Sequence, residues 1–126
     1  PSPRPAAVVG ALAQRRPTWM PGVPTIYERA MDEQAAEAAA DLGGVRYAIS
    51  GAASLPARII EPWQDRTGGM LVEGYGLTET TAPIAANFPS LNRLGTVGHP
   101  IPGNEVAIGR IQNALHGIRL RHDLTR

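Results

Sequence analysis

The stretch VRYAISGAASLPARIIEPWQDRTGGMLVEGYGLTETT, residues 45–81, decides the fold. Residues 45–50 alternate in polarity and are rich in β-formers, which predicts a strand. Residues 55–67 predict a helix, ended by the glycine pair that follows it. Residues 70–73 are a short apolar run and predict a buried strand. This order is typical of a parallel sheet with crossover helices, so we expect an α/β fold.

The segments before this stretch predict two further helices. Residues 25–40 form the clearer one, with Thr25 as its N-cap and Glu28 as the capping-box partner. Residues 8–16 predict a short helix that ends at a proline, after an extended Pro-rich lead. Because helix is disfavoured before each of its two prolines, we interpret residues 19–25 as a connection.

Beyond Thr81 the sequence becomes irregular, with four prolines by residue 102. Short strands are predicted at residues 96–97 and 105–108, and residues 110–126 form a basic segment of uncertain structure. We therefore expect a fragment of a layered α/β/α subdomain with parallel strands and crossover helices, followed by an irregular β segment.

Composition excludes several classes of function. The chain has 126 residues, about one domain, and its 12 basic and 11 acidic side chains give a net charge of +1. A dense basic face is absent, so we expect no nucleic-acid partner. The lack of cysteine excludes disulfides and thiolate metal sites, and it fits a cytoplasmic location. No apolar run has the length that spans a bilayer, so we expect no transmembrane segment.

Two loops follow the two predicted strands, at the edge of the sheet where ligands of such folds bind. The first is GAAS, residues 51–54, and the second is GYGLTETT, residues 74–81. We expect them to lie side by side. The small residues of GAAS would let a planar ring lie against the backbone. The alternative for GAAS is a plain strand-to-helix turn with Ser54 as a helix cap.

The second loop has the functional groups that a nucleotide site requires. Tyr75 can stack on a planar base, and Gly74 and Gly76 let the backbone approach a ligand closely. Thr78 can donate a hydrogen bond to a phosphate oxygen. Glu79 is a hard oxygen ligand suited to Mg²⁺. The alternative is a surface loop with glycines for turning and threonines for solvation.

Three passages, taken together, resemble the AMP-forming acyl-CoA synthetases, a family of adenylate-forming enzymes. They are VPTIYERAMD (residues 23–32), SGAASLPARII with EGYGLTETTAP (residues 50–60 and 73–83) and RLGTVGHPIPGNEVAI (residues 93–108). The resemblance covers residues 17–109, a partial AMP-binding domain. It leaves residues 1–16 as a lead with a short helix, and residues 110–126 as a divergent basic tail.

The resemblance implies ATP-dependent activation of a carboxylic acid. The acid would first form an acyl-adenylate with ATP, and the thiol of coenzyme A would then displace AMP. Leu77 stands where peptide synthetases usually have proline, so the chain looks more like the fatty-acyl ligases. The expected small molecules are therefore a carboxylic acid, ATP, coenzyme A and Mg²⁺.

The resemblance also implies the residues that contact these molecules. Tyr75, beside Gly74, would stack on adenine. Thr78 and Glu79 would be catalytic, Thr78 by contacting the α-phosphate and Glu79 by holding Mg²⁺. Gly76 and Leu77 would border the carboxylate. The pocket for adenine and acyl group would be lined by Gly51, Ala52 and Ala53.

Several parts of the family pattern are absent from the sequence. We find no Ser/Thr/Gly-rich phosphate loop, no TGD-type aspartate and no lysine of any kind. His99 stands where the family often has arginine, and His116 and His122 are interpreted as surface residues. The chain starts with Pro1, so we expect a processed, trimmed or partial protein. Because the phosphate loop and the TGD-type aspartate are missing, we expect the chain alone to be inactive as a ligase.

Two other interpretations stay open. The chain is either a non-catalytic remnant that binds a nucleotide or protein partner, or a plain structural α/β unit. An exposed apolar surface predicts self-association. Tyr27 and Trp63 are interpreted either as walls of an acyl tunnel or, with more support, as packing residues.

Overall fold

A five-stranded mixed sheet organises the part of the chain that the computed structural model describes, residues 4–32, 42–81 and 83–107. The strands lie in chain order and are β1 Trp19–Gly22, β2 Tyr47–Ser50, β3 Met70–Gly76, β4 Pro83–Ala86 and β5 His99–Pro100. The helices are α1 Pro5–Arg15, α2 Pro24–Met31 and α3 Ala57–Thr67, and two 3₁₀ turns follow at Thr78–Thr80 and Pro89–Leu91.

The first three strands are parallel, and α3 is the crossover between β2 and β3. Trp19 pairs with Tyr47, and Tyr47 pairs with Met70, so all three strands run in register toward one edge. The α/β class predicted from the sequence is thereby confirmed.

Strand β3 passes from the parallel half of the sheet to an antiparallel half. Its first four residues pair with β2, whereas Gly74 to Gly76 pair with β4. The register shifts between Tyr75 and Gly76, which marks a bulge or irregularity where the strand leaves the ladder. Strand β5 then pairs antiparallel with β4, which gives the β segment expected after the parallel strands.

One hydrophobic core joins the helices to one face of the parallel strands. From the sheet it contains Met20, Ala48 and Leu71, one residue per strand at the same level. From the helices it contains Val9, Leu12, Tyr27, Ala30, Ile59, Ile60 and Trp63. Trp19, on the other face of β1, is 55% exposed. All three described helices contribute to this one core. The second helical layer of the expected α/β/α subdomain and self-association through an exposed apolar surface both stay predictions.

The prediction of a connection at residues 19–25 is wrong, because β1 begins at Trp19. The carbonyls of Thr18 and Gly22 accept hydrogen bonds on the β2 side of the strand. Because backbone groups alternate in direction along a strand, Pro21 faces the outer edge of the described sheet, where its lack of an N–H breaks no ladder bond. An edge strand tolerates proline at such a position. The two prolines were therefore misleading as signals of a loop.

The predicted caps and bounds of the helices also need correction. Helix α2 begins at Pro24 with Val23 as N-cap and no side-chain cap bond, so the capping box of Thr25 and Glu28 is not formed. Proline at the first helical position favours this start because its fixed φ suits the helix. The prediction of one helix over residues 25–40 is wrong, because α2 ends at Met31 and Asp32 has a non-helical ψ of 136°. Residues 33–40 lie outside the described residues.

The other bounds shift by a few residues. Helix α1 begins at Pro5, inside the stretch predicted to be extended, and α3 begins at Ala57. Residues 96–97 are not a strand, because the Thr96 hydroxyl donates to the Arg93 carbonyl at 2.8 Å and closes a turn instead. Residues 105–107 form no strand, and Ile108 lies outside the described residues. No helix among the described residues is long and apolar enough to cross a membrane.

Candidate functional site

An open cleft of about 640 Å³ lies where the three parallel strands end. This volume is in the range of small-molecule sites in proteins. The cleft lies at the carboxyl edge of the strands, where ligands of such sheets bind. Thirteen described residues line it: Pro21, Gly22, Ile49, Ser50, Gly51, Ala52, Gly74, Tyr75, Gly76, Leu77, Thr78, Thr81 and Pro83.

The ends of β1 and β2 form one wall of the cleft and are joined by their backbones. The Gly51 N–H donates to the Gly22 carbonyl at 3.0 Å, one residue past the end of β2. Ala52 then adopts a left-handed φ of 66°, which an L-residue rarely holds. Such strain persists where the surrounding structure imposes it, and it is found often at functional sites.

The end of β3, the neighbouring strand, forms a second part of the lining. Tyr75 is half-buried and lines the cleft between Gly74 and Gly76. A Cβ at Gly74 would lie 2.9 Å from Cδ1 of Ile49, so a larger residue there would require the end of the Ile49 side chain to shift. The pattern predicted these residues to be a loop, whereas they form the last part of β3, held by the pairing with β4.

A single 3₁₀ turn, Thr78–Thr80, closes the site after β3. The Thr80 hydroxyl donates to the Leu77 carbonyl at 2.7 Å and accepts from the Leu77 N–H at 3.0 Å, so it fixes the turn. The Thr78 and Glu79 side chains are exposed, and neither makes a hydrogen bond or ion pair with a described residue. Both groups are therefore free to contact a ligand.

The structure brings seven of the nine predicted site residues together around the cleft. They are Gly51, Ala52, Gly74, Tyr75, Gly76, Leu77 and Thr78. Ala53 is exposed beside Ala52 but is not part of the lining, and Glu79 lies on the 3₁₀ turn outside it. The two loops expected side by side are indeed adjacent, because β2 and β3 are neighbours.

Sequence reasoning missed six lining residues: Pro21, Gly22, Ile49, Ser50, Thr81 and Pro83. The first two were missed because residues 19–25 were not recognised as a strand. Ser50 is fully buried, and its Oγ has no hydrogen-bond partner among the described residues. One signal could have identified Ser50 as a lining residue: it is the last residue of a buried strand, directly before a loop of small residues.

Metal binding at this site would depend on very few protein groups. Within the described ranges no three His, Cys, Asp or Glu residues come together as a metal cluster. A Mg²⁺ ion takes few protein ligands and several oxygens from nucleotide phosphates and water. The exposed Glu79 carboxylate fits such an ion, whereas His99 is exposed on β5 and His116 and His122 lie outside the described residues.

Tyr27 and Trp63 do not line the cleft and form the centre of the core instead. Both are fully buried, and their rings meet edge to face with centroids 4.9 Å apart. They are packing residues, which is the better supported of the two interpretations made from the sequence.

Comparison with known proteins agrees with this geometry. The model of a family described as AMP-binding enzyme matches residues 1–114. A long-chain-fatty-acid–CoA ligase of Bacillus subtilis is 35% identical over 105 residues, which is 82% of this chain and 19% of the relative. A malonate–CoA ligase of Arabidopsis thaliana is 33% identical over 108 residues, 80% of this chain and 18% of the relative.

Solved structures give the same result. A benzoate CoA ligase from Burkholderia xenovorans superimposes with a TM-score of 0.76 and 31% identity, over 84% of this chain and 22% of that one. An anthranilate CoA ligase in complex with anthranoyl-AMP gives a TM-score of 0.74 and 28% identity, over 81% of this chain and 20% of that one. The chain thus spans about a fifth of the length of these relatives.

Proposed function

Because the chain belongs to the AMP-binding enzyme family, we propose that it forms the adenine and α-phosphate side of a site that activates carboxylic acids. The activity would be that of an ATP-dependent acyl-CoA ligase. The observation that carries this proposal is the cleft at the carboxyl ends of three parallel strands, with Tyr75, Gly51 and Ala52 in its lining. A planar base fits between an aromatic ring and a bare backbone.

Each wall of the cleft supplies a different contact in this proposal. Tyr75 stacks on adenine, and the backbone of Gly51, Ala52 and the adjoining Ala53 supports its other side. The free Thr78 hydroxyl donates to an oxygen of the α-phosphate. The carboxylate of the acid lies against Gly76 and Leu77, beside that phosphate.

The proposed reaction has two steps. A carboxylate oxygen of the acid attacks the α-phosphorus, and the bond between the α- and β-phosphates breaks, so that pyrophosphate leaves. The sulfur of coenzyme A then attacks the acyl carbon, losing its proton, and AMP leaves with the carboxylate oxygen. The described residues contribute to the first step by positioning the two reactants, which is a large part of catalysis in such transfers.

Mg²⁺ enters the proposal through Glu79. The exposed carboxylate would hold the ion beside the phosphates, and the ion would neutralise charge that develops there. Because Glu79 lies on the same 3₁₀ turn as Thr78, one short segment would position both the ion and the α-phosphate.

We propose that the acid has an apolar body, as a fatty acid has. Pro21, Ile49 and Leu77 give the cleft apolar side chains next to the proposed position of the carboxylate. Relatives are named for long-chain fatty acids, malonate and hydroxybenzoates, so the relatives as a group vary in substrate. The apolar lining is what supports an acid with an apolar body.

Calorimetric titration of the folded chain with AMP tests the proposal. Wild type should bind, and Tyr75→Ala should weaken binding by about 5- to 100-fold, because stacking of a base on an aromatic ring contributes about 1–3 kcal/mol. Tyr75→Phe should bind nearly as wild type does, and Arg58→Ala, at an exposed ion pair remote from the cleft, is the control. A folded chain that binds neither AMP nor ATP with Mg²⁺ would refute the proposed function.

A further inference from the structure

The hydroxyl of Tyr27 reaches from the core to the ends of two strands. Its oxygen lies 3.0 Å from the Met20 carbonyl oxygen of β1 and 2.9 Å from the Ile49 carbonyl oxygen of β2. A phenol has one proton, so the two carbonyls share it or alternate as acceptors. Burial raises the pKa of the Tyr27 hydroxyl, which keeps that proton in place. The side chain therefore holds two neighbouring strands at a fixed separation.

The ring of Tyr27 is itself held firmly. Tyr27 and Trp63 are both fully buried, and their rings meet at 82° with centroids 4.9 Å apart. Trp63 belongs to α3 and Tyr27 to α2, so the position of the hydroxyl is set by two helices. A side chain packed in this way transmits a position, because buried cores deform little.

The Tyr27 hydroxyl also takes the space of a side chain on the cleft wall. A Cβ built on Gly22 would lie 2.9 Å from the Tyr27 oxygen and 3.0 Å from its Cζ. Gly22 lines the cleft, and its carbonyl accepts the N–H of Gly51 at 3.0 Å. Tyr27 does not line the cleft, so any effect on a ligand passes through Gly22, Ile49 and Gly51.

We propose that Tyr27 is a positioning residue for the ligand in the cleft. Its hydroxyl bonds the Met20 carbonyl of β1 and the Ile49 carbonyl of β2, and thereby fixes the position of the Gly51 backbone in the cleft lining. This inference rests on the proposed function for the identity of the ligand. It adds a residue buried below the cleft, which would act on ligand affinity through the backbone of β1 and β2.

Tyr27→Phe is the direct test, because phenylalanine keeps the ring and its contact with Trp63 but loses the hydroxyl. We expect the dissociation constant for AMP to rise about three- to tenfold at a temperature where the variant is folded. Thr67→Val is the matched control. It removes a buried hydroxyl that donates to the Trp63 carbonyl at 2.8 Å, but at the far end of α3. It should lower the melting temperature comparably and leave the AMP dissociation constant unchanged.

A double-mutant cycle with Gly22→Ala tests the route of the effect. If both changes act through the contact between Gly22 and the Tyr27 hydroxyl, their effects on AMP affinity are not additive. The double variant should bind no more weakly than Gly22→Ala alone. Fully additive effects would overturn the proposed route, because they would mean that the two residues act on the ligand independently.

Hydrogen exchange of the Gly51 amide supplies a measurement that needs no ligand. Its exchange should accelerate in Tyr27→Phe and Gly22→Ala but not in Thr67→Val, because only the first two changes loosen the bond to Gly22. Equal exchange in all variants would overturn the inference, even for a wild type that binds no AMP. If wild type binds AMP and Tyr27→Phe binds as Thr67→Val does, the inference also fails, while the proposed function stands. Gly22→Ala keeps the test available if Tyr27→Phe does not fold.

Discussion

The carbonyl oxygen of Glu73 accepts two hydrogen bonds from Asn87, one from the backbone N–H at 3.0 Å and one from Nδ2 at 3.3 Å. The same Nδ2 donates to the Thr96 carbonyl at 2.6 Å, and Oδ1 accepts the Arg93 N–H at 2.9 Å. Asn87 is 1% exposed, so water does not replace these partners. One buried amide therefore ties the connection between β4 and β5 to the middle of β3.

We expect Asn87→Ala to lower the free energy of unfolding by about 2–3 kcal/mol, because it removes a buried side chain and leaves the partly buried Thr96 carbonyl and Arg93 N–H without its amide. Urea denaturation followed by circular dichroism measures the change. Asn92→Ala, at an exposed position of the same connection, should stay within about 0.5 kcal/mol of wild type. Equal stabilities of the two variants would contradict the assignment of Asn87 as the tie.

A substitution at Gly98 should also strongly lower the stability of the fold, in the same connection between β4 and β5. It has a φ of 86°, and a Cβ there would overlap the carbonyl carbon and oxygen of Ala86. We expect Gly98→Ala to cost about 3 kcal/mol or more, the sum of backbone strain and steric overlap. Gly95→Ala is the control, since its φ is 75° but nothing lies within 4 Å of its Cβ, so about 1 kcal/mol is expected. The prediction fails if thermal denaturation ranks the two variants in the opposite order.

Stability should fall in alkaline solution because of the tyrosines. Burial raises the pKa of both Tyr27 and Tyr47 above the usual value of 10. Above about pH 10 the unfolded chain loses a proton that the folded chain keeps. The free energy of unfolding then decreases by at most about 1.4 kcal/mol per pH unit for each such residue, and below about pH 9 their stabilising contribution is fully present.

Tyrosines are the main side chains that titrate in the alkaline range, because the chain has no lysine or cysteine. Urea denaturation at several values between pH 8 and pH 11 should give a slope that Tyr27→Phe reduces and Arg58→Ala does not. A Tyr27→Phe variant with the wild-type slope would show that Tyr27 ionises equally in both states. Tyr47→Phe should remove a further part of the slope, together with the bond to the Asn87 carbonyl at 2.9 Å.

Two of the three parallel strands and the helix between them were predictable because they follow strong local patterns. Residues 45–50 alternate, residues 55–67 form a helix that ends at Gly68, and residues 70–73 are apolar. These patterns located β2, α3 and the start of β3 to within two residues at each end. The ligand edge then follows from the parallel arrangement alone.

The edge strand and the antiparallel half were missed because their strand character is not local. Strand β1 contains Pro21, which only an edge position tolerates, and edge position is a property of the folded sheet. Strand β4, with the sequence PIAA, has neither alternation nor β-branched residues beyond Ile84. It forms because the backbone of Gly74 to Gly76 pairs with it. The sequence of residues 83–86 alone does not indicate this pairing. The lining residues Gly22 and Pro83 were lost for the same reason.

The isolated chain should gain little affinity from the β- and γ-phosphates of a nucleotide. Among the described residues, the cleft lining contains no arginine or histidine, and the chain has no lysine. In the proposed function Thr78 and Glu79 would contact the α-phosphate and a metal ion, but no basic group lies in the described lining to attract the β- and γ-phosphates. We therefore expect AMP and ATP to bind with dissociation constants within about threefold of each other, since unpaired charges add little affinity.

We also expect no pyrophosphate release when the purified chain is incubated with ATP, Mg²⁺ and a fatty acid. A full-length acyl-CoA ligase is the positive control for the assay. Formation of an acyl-adenylate by the chain alone, or an ATP affinity many times that for AMP, would contradict this prediction, because either result requires a triphosphate clamp within these 126 residues.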